Sequence, residues 1–357
     1  MDAIQNNIKN IDIKKDFLIK ERKSSKFEII KNSIILLIVC LLFFEIIFLF
    51  NCLPINIGYK KEIKNRVLTD IITDYSFKAI YFTNSDNQLV SLFNETYIKD
   101  IIEISLDNVK IPISSNYTFP NSGNHTLYFI MNSPSSNSLS YMFNSIKQLV
   151  SISFSSSFNT ENVIDMSKMF YACISLFSVE NLSNLNTKNV IYMDYLFYAC
   201  SLLRSIDLSK FDTSNLKDMT GMFGGSGFYK LNLSNFNTKN LLTTTFMFFS
   251  ARSLEELDIS SFDTSNVIDM SYMFSYCVNL TSLDVSHFNT ENVKTMNYMF
   301  NSLKTLNSLY INFNSKNVEN MDFMFSELTS MKNLTVKLDT HSVKSMNFMF
   351  SLSIFCF

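Results

Sequence analysis

The chain has 357 residues, 47% of them apolar and only 17% charged, with a formal net charge of −2. That near-neutral, mildly acidic balance excludes the basic footprint of a nucleic-acid binder, so nucleic acid is not an expected partner. Phe is frequent at 35, Gly (6) and Pro (4) are scarce and Trp is absent, which excludes a flexible low-complexity polymer.

Charge is spread unevenly along the chain. Residues 1–66 sum to +5 (12 Lys/Arg against 7 Asp/Glu), leaving −7 for the remainder (18 against 25). The first 32 residues form a basic tail carrying Lys9, Lys14, Lys15, Lys20, Arg22, Lys23, Lys26 and Lys31. Residues 33–53 read as a transmembrane helix, because Ile34 to Phe50 is apolar throughout except for Glu45. Seventeen residues at about 1.5 Å each span roughly 25 Å, and Cys52 and Leu53 extend this towards a bilayer core. Sixteen apolar side chains at roughly −0.3 to −0.6 kcal/mol outweigh one carboxylate costing about 3 kcal/mol. The lipid bilayer is therefore an expected partner through 33–53. The excess of Lys/Arg before the span predicts a cytoplasmic N-terminus and an exported C-terminal body, that is, a single-pass membrane protein with its repeats at the cell surface.

Residues 54–135 show no repeat and read as a stalk followed by a small β-rich capping unit. Ile101–Leu106 and Thr126–Met131 have strand character, and Phe119-Pro120-Asn121-Ser122-Gly123-Asn124 is a turn signal. A cap is expected because the open end of a stacked array exposes apolar surface and unpaired strand edge.

Residues 136–357 are filled by a repeat whose closing Phe recurs at Phe170, Phe197, Phe223, Phe248, Phe274, Phe300, Phe325 and Phe350, with a degenerate copy at Phe143. A fixed period in this range marks a stacked array, since one such unit cannot bury its own apolar face. The first part of each unit alternates, as in Leu283-Asp284-Val285-Ser286, and predicts a short strand. Equivalent pairs are Ile206/Leu208, Leu231/Leu233, Leu257/Ile259 and Leu309/Ile311. Phe-[Asp/Asn]-Thr-x-Asn follows as a turn. Its Asn suits a helix N-cap, with Asp165, Asp218 or Asp269 three positions on completing a capping box. Val267, Met270, Met273, Phe274 and Cys277 then lie at helical spacing over about two turns. The expected fold is thus an α/β solenoid, a leucine-rich-repeat-like right-handed array of eight to nine strand–turn–short helix coils, preceded by a small β-rich cap and one N-terminal transmembrane helix.

Two irregularities stand out. The spacing from Phe170 to Phe197 places one extra residue near Val179–Asn181, a bulge. In the copy ending at Phe248, Thr244 replaces the first Met and puts a hydroxyl towards the core unless it bonds locally.

Phe-[Asp/Asn]-Thr-x-Asn-Val-x-x-Met-x-x-Met-Phe-x-x-Cys, preceded by Leu-x-x-Leu-Asp-[Leu/Ile/Val]-Ser, closely resembles the BspA-like leucine-rich-repeat surface proteins. This is the variant repeat first noted as a Mycoplasma protein of unknown function. The likeness covers about residues 137–350. It implies a cell-surface location and adhesion or binding to host or matrix, with no catalytic residues to carry over. The long basic tail, in place of a clean signal peptide, departs from the secreted bacterial members.

Few residues suggest chemistry. His125, His287 and His341 fall at unrelated positions, and no Ser-His-Asp set, metal-binding motif or Gly-rich phosphate loop is present. No catalytic, cofactor-binding or metal residues are assigned and an enzyme is not expected. Cys173, Cys200 and Cys277 occupy one repeat column; they read as structural thiols, with a bridge between Cys173 and Cys200 left open.

Two outward columns are the candidate sites. Tyr195, Phe246, Tyr272, Tyr298, Phe323 and Phe348 precede each Met-Phe and form a possible strip for a protein or glycan ligand, unless these rings pack between coils as core. The alternative strand face carries Asp207, Asp258, Asp284 and Tyr310. The expected function is binding to another macromolecule as a membrane-anchored adhesin of the cell surface. The rival is an intracellular or internal-compartment scaffold for protein–protein interaction.

Overall fold

A computed structural model of the chain describes residues 76–353. All of them belong to the second of two compact units, Ile71–Phe357. The expected tail 1–32 and span 33–53 lie outside the described residues. Among the described residues no helix is long and apolar enough to cross a membrane. The single-pass topology with exported repeats is thus not supported and is set aside.

The first part of this unit is a sheet. Strand β1 (Phe77–Thr83) pairs antiparallel with β6 (Gly123–Met131) on one side and with β7 (Leu149–Phe154) on the other. Outside β6 lie β3 (Ile101–Leu106) and β4 (Val109–Ile111), and β7 pairs in parallel with β8 (Ser178–Glu180). A second pair, β2 (Gln88–Ser91) with β5 (Asn116–Phe119), is antiparallel. Between β5 and β6 the chain turns at Gly123, whose φ of +118° only glycine adopts readily. β7 is also the strand of the first repeat, so β1 covers what would be an open edge. Phe77 anchors this junction, stacking on Phe129 at 4.6 Å and meeting Phe143 edge-on at 5.6 Å.

The repeats differ from the expected coil in two ways. Strand segments form at β9 (Lys230–Asn232) with β10 (Glu256–Asp258), and at β11 (Ser308–Asn312) with β12 (Asn333–Lys337). Residues 204–208 and 281–285 form none, so the strand side breaks into separate small sheets and no continuous ladder closes a leucine-rich-repeat-like solenoid. The second correction is larger. Among the described residues there is no α-helix; the only helical segments are two 3₁₀ turns, Glu95–Tyr97 and Leu182–Asn184.

Backbone geometry explains the missing helices. Within each repeat two residues four apart are left-handed, as at Tyr272 (φ 58°) and Tyr276 (φ 62°), or Tyr298 (φ 57°) and Ser302 (φ 58°). A right-handed helix cannot pass through them. The backbone donors alternate instead. Met270, Tyr272, Phe274 and Tyr276 donate to Thr295, Asn297, Met299 and Asn301 of the next repeat, at 2.9–3.1 Å. Met273, Ser275 and Cys277 donate locally, three residues back, at 3.1–3.3 Å. The result is a string of turns whose alternate N–H groups tie repeat to repeat. Parallel bridges run unbroken through Ser138, Asp165, Tyr192, Asp218, Thr243, Asp269, Thr295, Asn320 and Ser345.

The apolar spacing of the supposed helix is therefore the inward face of this string. Met270, Met273, Phe274 and Cys277 are fully buried, like their counterparts in neighbouring repeats. The closing Phe rings from Phe143 to Phe350 stack one on the next at 5.5–6.5 Å, within 3–13° of parallel. The widest gap, Phe197 to Phe223, admits the ring of Phe228 edge-on to both.

The turn motif has a different purpose from the one expected. Thr238 Oγ1 donates to the Asp263 carbonyl at 2.9 Å and accepts the Asp263 N–H at 2.8 Å, and Thr160, Thr187 and Thr213 repeat this exchange. The Asn read as a helix N-cap is a clasp: Asn266 Nδ2 donates to the Lys239 carbonyl at 2.7 Å, and Asn189, Asn215, Asn240, Asn292 and Asn317 do likewise. Asp165, Asp218 and Asp269 accept the N–H two residues on, making turns and not capping boxes. The extra residue of the 27-residue spacing is taken up at Asn181, left-handed at φ 57°.

Two stability predictions follow from this packing. Met270→Asp places a carboxylate with no partner in a fully apolar column and is expected to cost about 4 kcal/mol or more. Ser265→Lys, a residue that other copies carry at the same turn position (Lys188, Lys239, Lys316), is expected to change the melting temperature little. Equal losses in thermal melts of the two variants would show the repeat register to be wrong. Thr244 is fully buried and its hydroxyl has no hydrogen-bond partner among the described residues. Thr244→Val keeps the shape and removes that group, so it is expected to stabilise by about 1–2 kcal/mol in denaturant titration.

Candidate functional site

The residue two before each closing Phe occupies a left-handed position whose side chain projects from the turn string. In chain order the column is Tyr141, Lys168, Tyr195, Gly221, Phe246, Tyr272, Tyr298, Phe323 and Phe348, with φ between 53° and 61° throughout. Left-handed backbone favours Gly or Asn and penalises bulky residues. Seven of these nine positions nevertheless carry an aromatic ring. Backbone geometry does not call for rings here, so their presence needs another cause.

From Phe246 to Phe348 the rings make a continuous second stack. Phe246–Tyr272, Tyr272–Tyr298, Tyr298–Phe323 and Phe323–Phe348 are 4.7, 4.6, 4.5 and 5.0 Å apart, within 7–23° of parallel. Unlike the closing rings from Phe143 to Phe325, which are buried, the first four of these are part-buried and Phe348 is 65% exposed. The strip and the buried core stack are thus separate structures. Phe249 joins from the side, edge-on to Phe246 at 5.4 Å and to Tyr272 at 6.1 Å.

The strip is interrupted at Gly221. A Cβ there would lie 2.5 Å from two carbons of the Tyr195 ring, so that ring leans over the glycine. Tyr198 leans over Gly224 in the same way. Tyr195 consequently stands apart from the five stacked rings and meets Tyr171 and Tyr198 edge-on at 6.2 and 5.4 Å. Before it, Lys168 takes the place of a ring. Its ammonium sits 5.1 Å from the Tyr141 centroid and 5.3 Å from that of Tyr195, and donates to the Tyr141 hydroxyl at 3.0 Å. That hydroxyl bond, followed by the fields of Tyr141 and Asp194, holds the Lys168 pKa above its usual value in spite of partial burial. The sequence reading missed Tyr141 and Lys168; the register of two residues before the closing Phe was the signal that identifies both.

The alternative face is built differently. Asp207, Asp258 and Asp284 each accept the N–H two residues on, from Ser209, Ser260 and Ser286, at 2.9–3.0 Å. The Ser209 N–H and hydroxyl hold Asp207 below the usual carboxylate range; the hydroxyls and then the N–H groups of Ser260 and Ser286 do so for Asp258 and Asp284. Asn232 makes the same turn to Ser234 without a charge. These acids therefore shape turns. Tyr310 lies on β11, 49% exposed, with no ring stacked on it among the described residues.

The remaining polar groups of note are structural. Cys173, Cys200 and Cys277 are free, and each thiol donates to a carbonyl of the preceding repeat, Phe143, Phe170 and Phe248, at 2.9–3.1 Å. Burial pushes Cys173 and Cys277 up to about 12 and Cys200 well above its usual value, so all three stay protonated. The bridge left open between Cys173 and Cys200 is absent. His125 lies flat on Phe119 at 4.0 Å and bonds Thr83 at 2.8 Å, His287 bonds the Ile259 carbonyl, and His341 bonds Asp339. Among the described residues no three metal-binding side chains come together.

A family model described as "Mycoplasma protein of unknown function, DUF285" matches residues 137–257 and 246–354. No curated protein and no solved structure matches the chain. The matched segments begin and end with the turn string and include every ring of the outward column from Tyr141 to Phe348. By that match, over more than half of its length, the chain belongs to the DUF285 family of Mycoplasma proteins of unknown function.

Proposed function

We propose that this chain is a binding protein that holds a protein ligand against its outward aromatic stack, in the manner of an adhesin. The observation that carries this reading is the stack from Phe246 to Phe348: five part-exposed rings at 4.5–5.0 Å, additional to a core stack that already fixes the repeats. Rings of this kind supply large contact area with little rotamer entropy to lose, and a row of equivalent positions can act together. The finer BspA-like assignment is part of the proposal. It rests on the repeat motif from Phe-[Asp/Asn]-Thr to Met-Phe-x-x-Cys, and it names adhesion as the kind of binding.

Ring orientation favours a protein over a glycan. Each inner ring has its two faces covered by its neighbours, so the surface offered is a row of edges and two tyrosine hydroxyls. Sugars dock on the open faces of aromatic rings. A protein surface can pack apolar side chains along edges and bond the hydroxyls. The strand face is the weaker candidate, because among the described residues no ring is stacked on Tyr310 and no row of rings runs beside its acids. The scaffold reading would use the same strip and differs only in where the chain resides.

Tyr272→Ser combined with Tyr298→Ser removes the middle of the stack. On an array carrying both folded proteins and glycans, the wild-type chain is expected to bind protein spots and the double variant to lose them, with circular dichroism and melting little changed. Retention confined to glycan spots would reject the protein ligand. A variant that unfolds would place these rings in the core and remove the strip as a site.

A further inference from the structure

We propose that the protein ligand is a basic segment, whose Lys and Arg stems lie along the ring edges while their charged heads meet carboxylates beside the stack. The inference rests on the aromatic column as the docking surface and adds the chemistry of what docks there.

In the three residues before each column position the charge is of one sign, with Lys217, Lys294 and Lys344 one residue further back. Those three residues place Asp165, Asp194, Asp218, Asp269 and Asp322 beside the column, and no Lys or Arg. All five are part-buried, and none forms an ion pair within 4.0 Å among the described residues. The charge of Asp165, Asp218 and Asp269 is not needed for the turns they make. Thr243 accepts the Thr245 N–H at 3.1 Å and Asn320 accepts the Asp322 N–H at 2.8 Å, doing with neutral groups what Asp218 and Asp269 do with charged ones. A carboxylate at Asp165, Asp218 or Asp269 is therefore replaceable in its turn and available to a cation, whereas Asp194 accepts the Ser167 hydroxyl and Asp322 the Ser345 hydroxyl and the Asn347 N–H, bonds between repeats.

The column also holds a cation of its own. Lys168 fits the left-handed position between two tyrosines, its stem in place of a ring and its head on the Tyr141 hydroxyl. An amphipathic cation of this type buries its alkyl stem on apolar surface and keeps its head at polar groups. Ring edges carry the positive end of the quadrupole, so it is the carboxylates and hydroxyls, and not the edges, that would hold the ammonium or guanidinium. Lys168 shows that this combination of ring, hydroxyl and nearby Asp194 accommodates such a side chain.

The test uses the full chain and two fluorescent peptides of equal length, oligolysine and oligoglutamate, followed by anisotropy at several salt concentrations. Oligolysine is expected to bind, with affinity falling as salt rises. Asp218→Asn combined with Asp269→Asn keeps the turn acceptor and removes only charge, and is expected to weaken binding about tenfold. Asp258→Asn combined with Asp284→Asn, on the strand face, removes equal charge and is expected to leave affinity within about twofold. Should the first pair lower the melting point, Asp269→Asn alone replaces it, since a neighbouring repeat already has Thr295 there.

Equal binding of the two peptides, no binding of oligolysine, or equal losses from the two Asn pairs would overturn the basic ligand. The Tyr272→Ser, Tyr298→Ser variant separates this from failure of the docking surface. If that variant loses its protein-array signal while the wild-type chain ignores oligolysine, the surface stands and the basic ligand falls. If it binds oligolysine as the wild type does, the rings take no part and the docking surface itself is wrong.

Discussion

The rest of this structure depends on backbone N–H groups that reach from one repeat to the next on alternate residues, as from Met270, Tyr272, Phe274 and Tyr276. A chain can present alternate donors to a neighbour while folding into turns only by reversing its handedness at intervals. Tyr272 and Tyr276 are where it does so, and their counterparts repeat along the column. Each such non-glycine residue costs of order 1 kcal/mol of backbone strain and persists only when its surroundings over-determine it. The bonds made by its neighbours, both local and to the next repeat, provide that over-determination. One repeat by itself would keep the strain and lose the inter-repeat bonds, which is why the unit exists only in stacks.

Side chains reinforce the same axis. The closing Phe rings stack at 5.5–6.5 Å from one repeat to the next, while Thr and Asn side chains tie each turn to the next through backbone carbonyls. Many of these polar side chains bond between repeats, as Thr238 and Asn266 do, while others such as Asn232 and Thr243 close their own turns. The abundance of Asn, Ser and Thr, which in composition alone suggests little more than a polar surface, is thus part of the stacking. At Thr244 this logic fails locally, because a hydroxyl stands in the Met column where no inter-repeat acceptor is offered.

Much of this was legible in the sequence, and the part that was not has a physical reason. The period, the buried Phe and Met columns and the strands at 101–106 and 126–131 follow from residue patterns, and the sheet has strands at those positions. The error lay in Val267, Met270, Met273, Phe274 and Cys277. Spacings of three and four residues fit one face of a helix, and they fit equally a string of turns in which i→i−3 bonds return every third or fourth side chain inward. Periodicity does not distinguish the two. The clue against a helix was the length of the segment: about two turns, followed by a return with no Gly or Pro to end it, which is marginal for a helix even with good caps. The Asn and Asp positions fit a capping box in spacing but bond across repeats or to their own turns.

The same geometry bears on where function can reside. Inward columns are held nearly constant from repeat to repeat because a change of volume there is felt by the neighbours above and below. The outward left-handed column varies more, and it accepts Gly221 (beneath the Tyr195 ring), Lys168, Tyr and Phe on one backbone conformation. Left to backbone preference it would be Gly or Asn throughout. Instead the five positions from Phe246 to Phe348 are all rings, stacked closer than the core rings themselves at 4.5–5.0 Å against 5.5–5.8 Å over the same repeats. Solvent-exposed stacking of this kind returns less free energy to folding than buried packing does, yet it is kept where the backbone resists it. A feature that opposes local preference and adds little to the core is where sequence and fold disagree, and that disagreement is the ground on which a contact surface is proposed there.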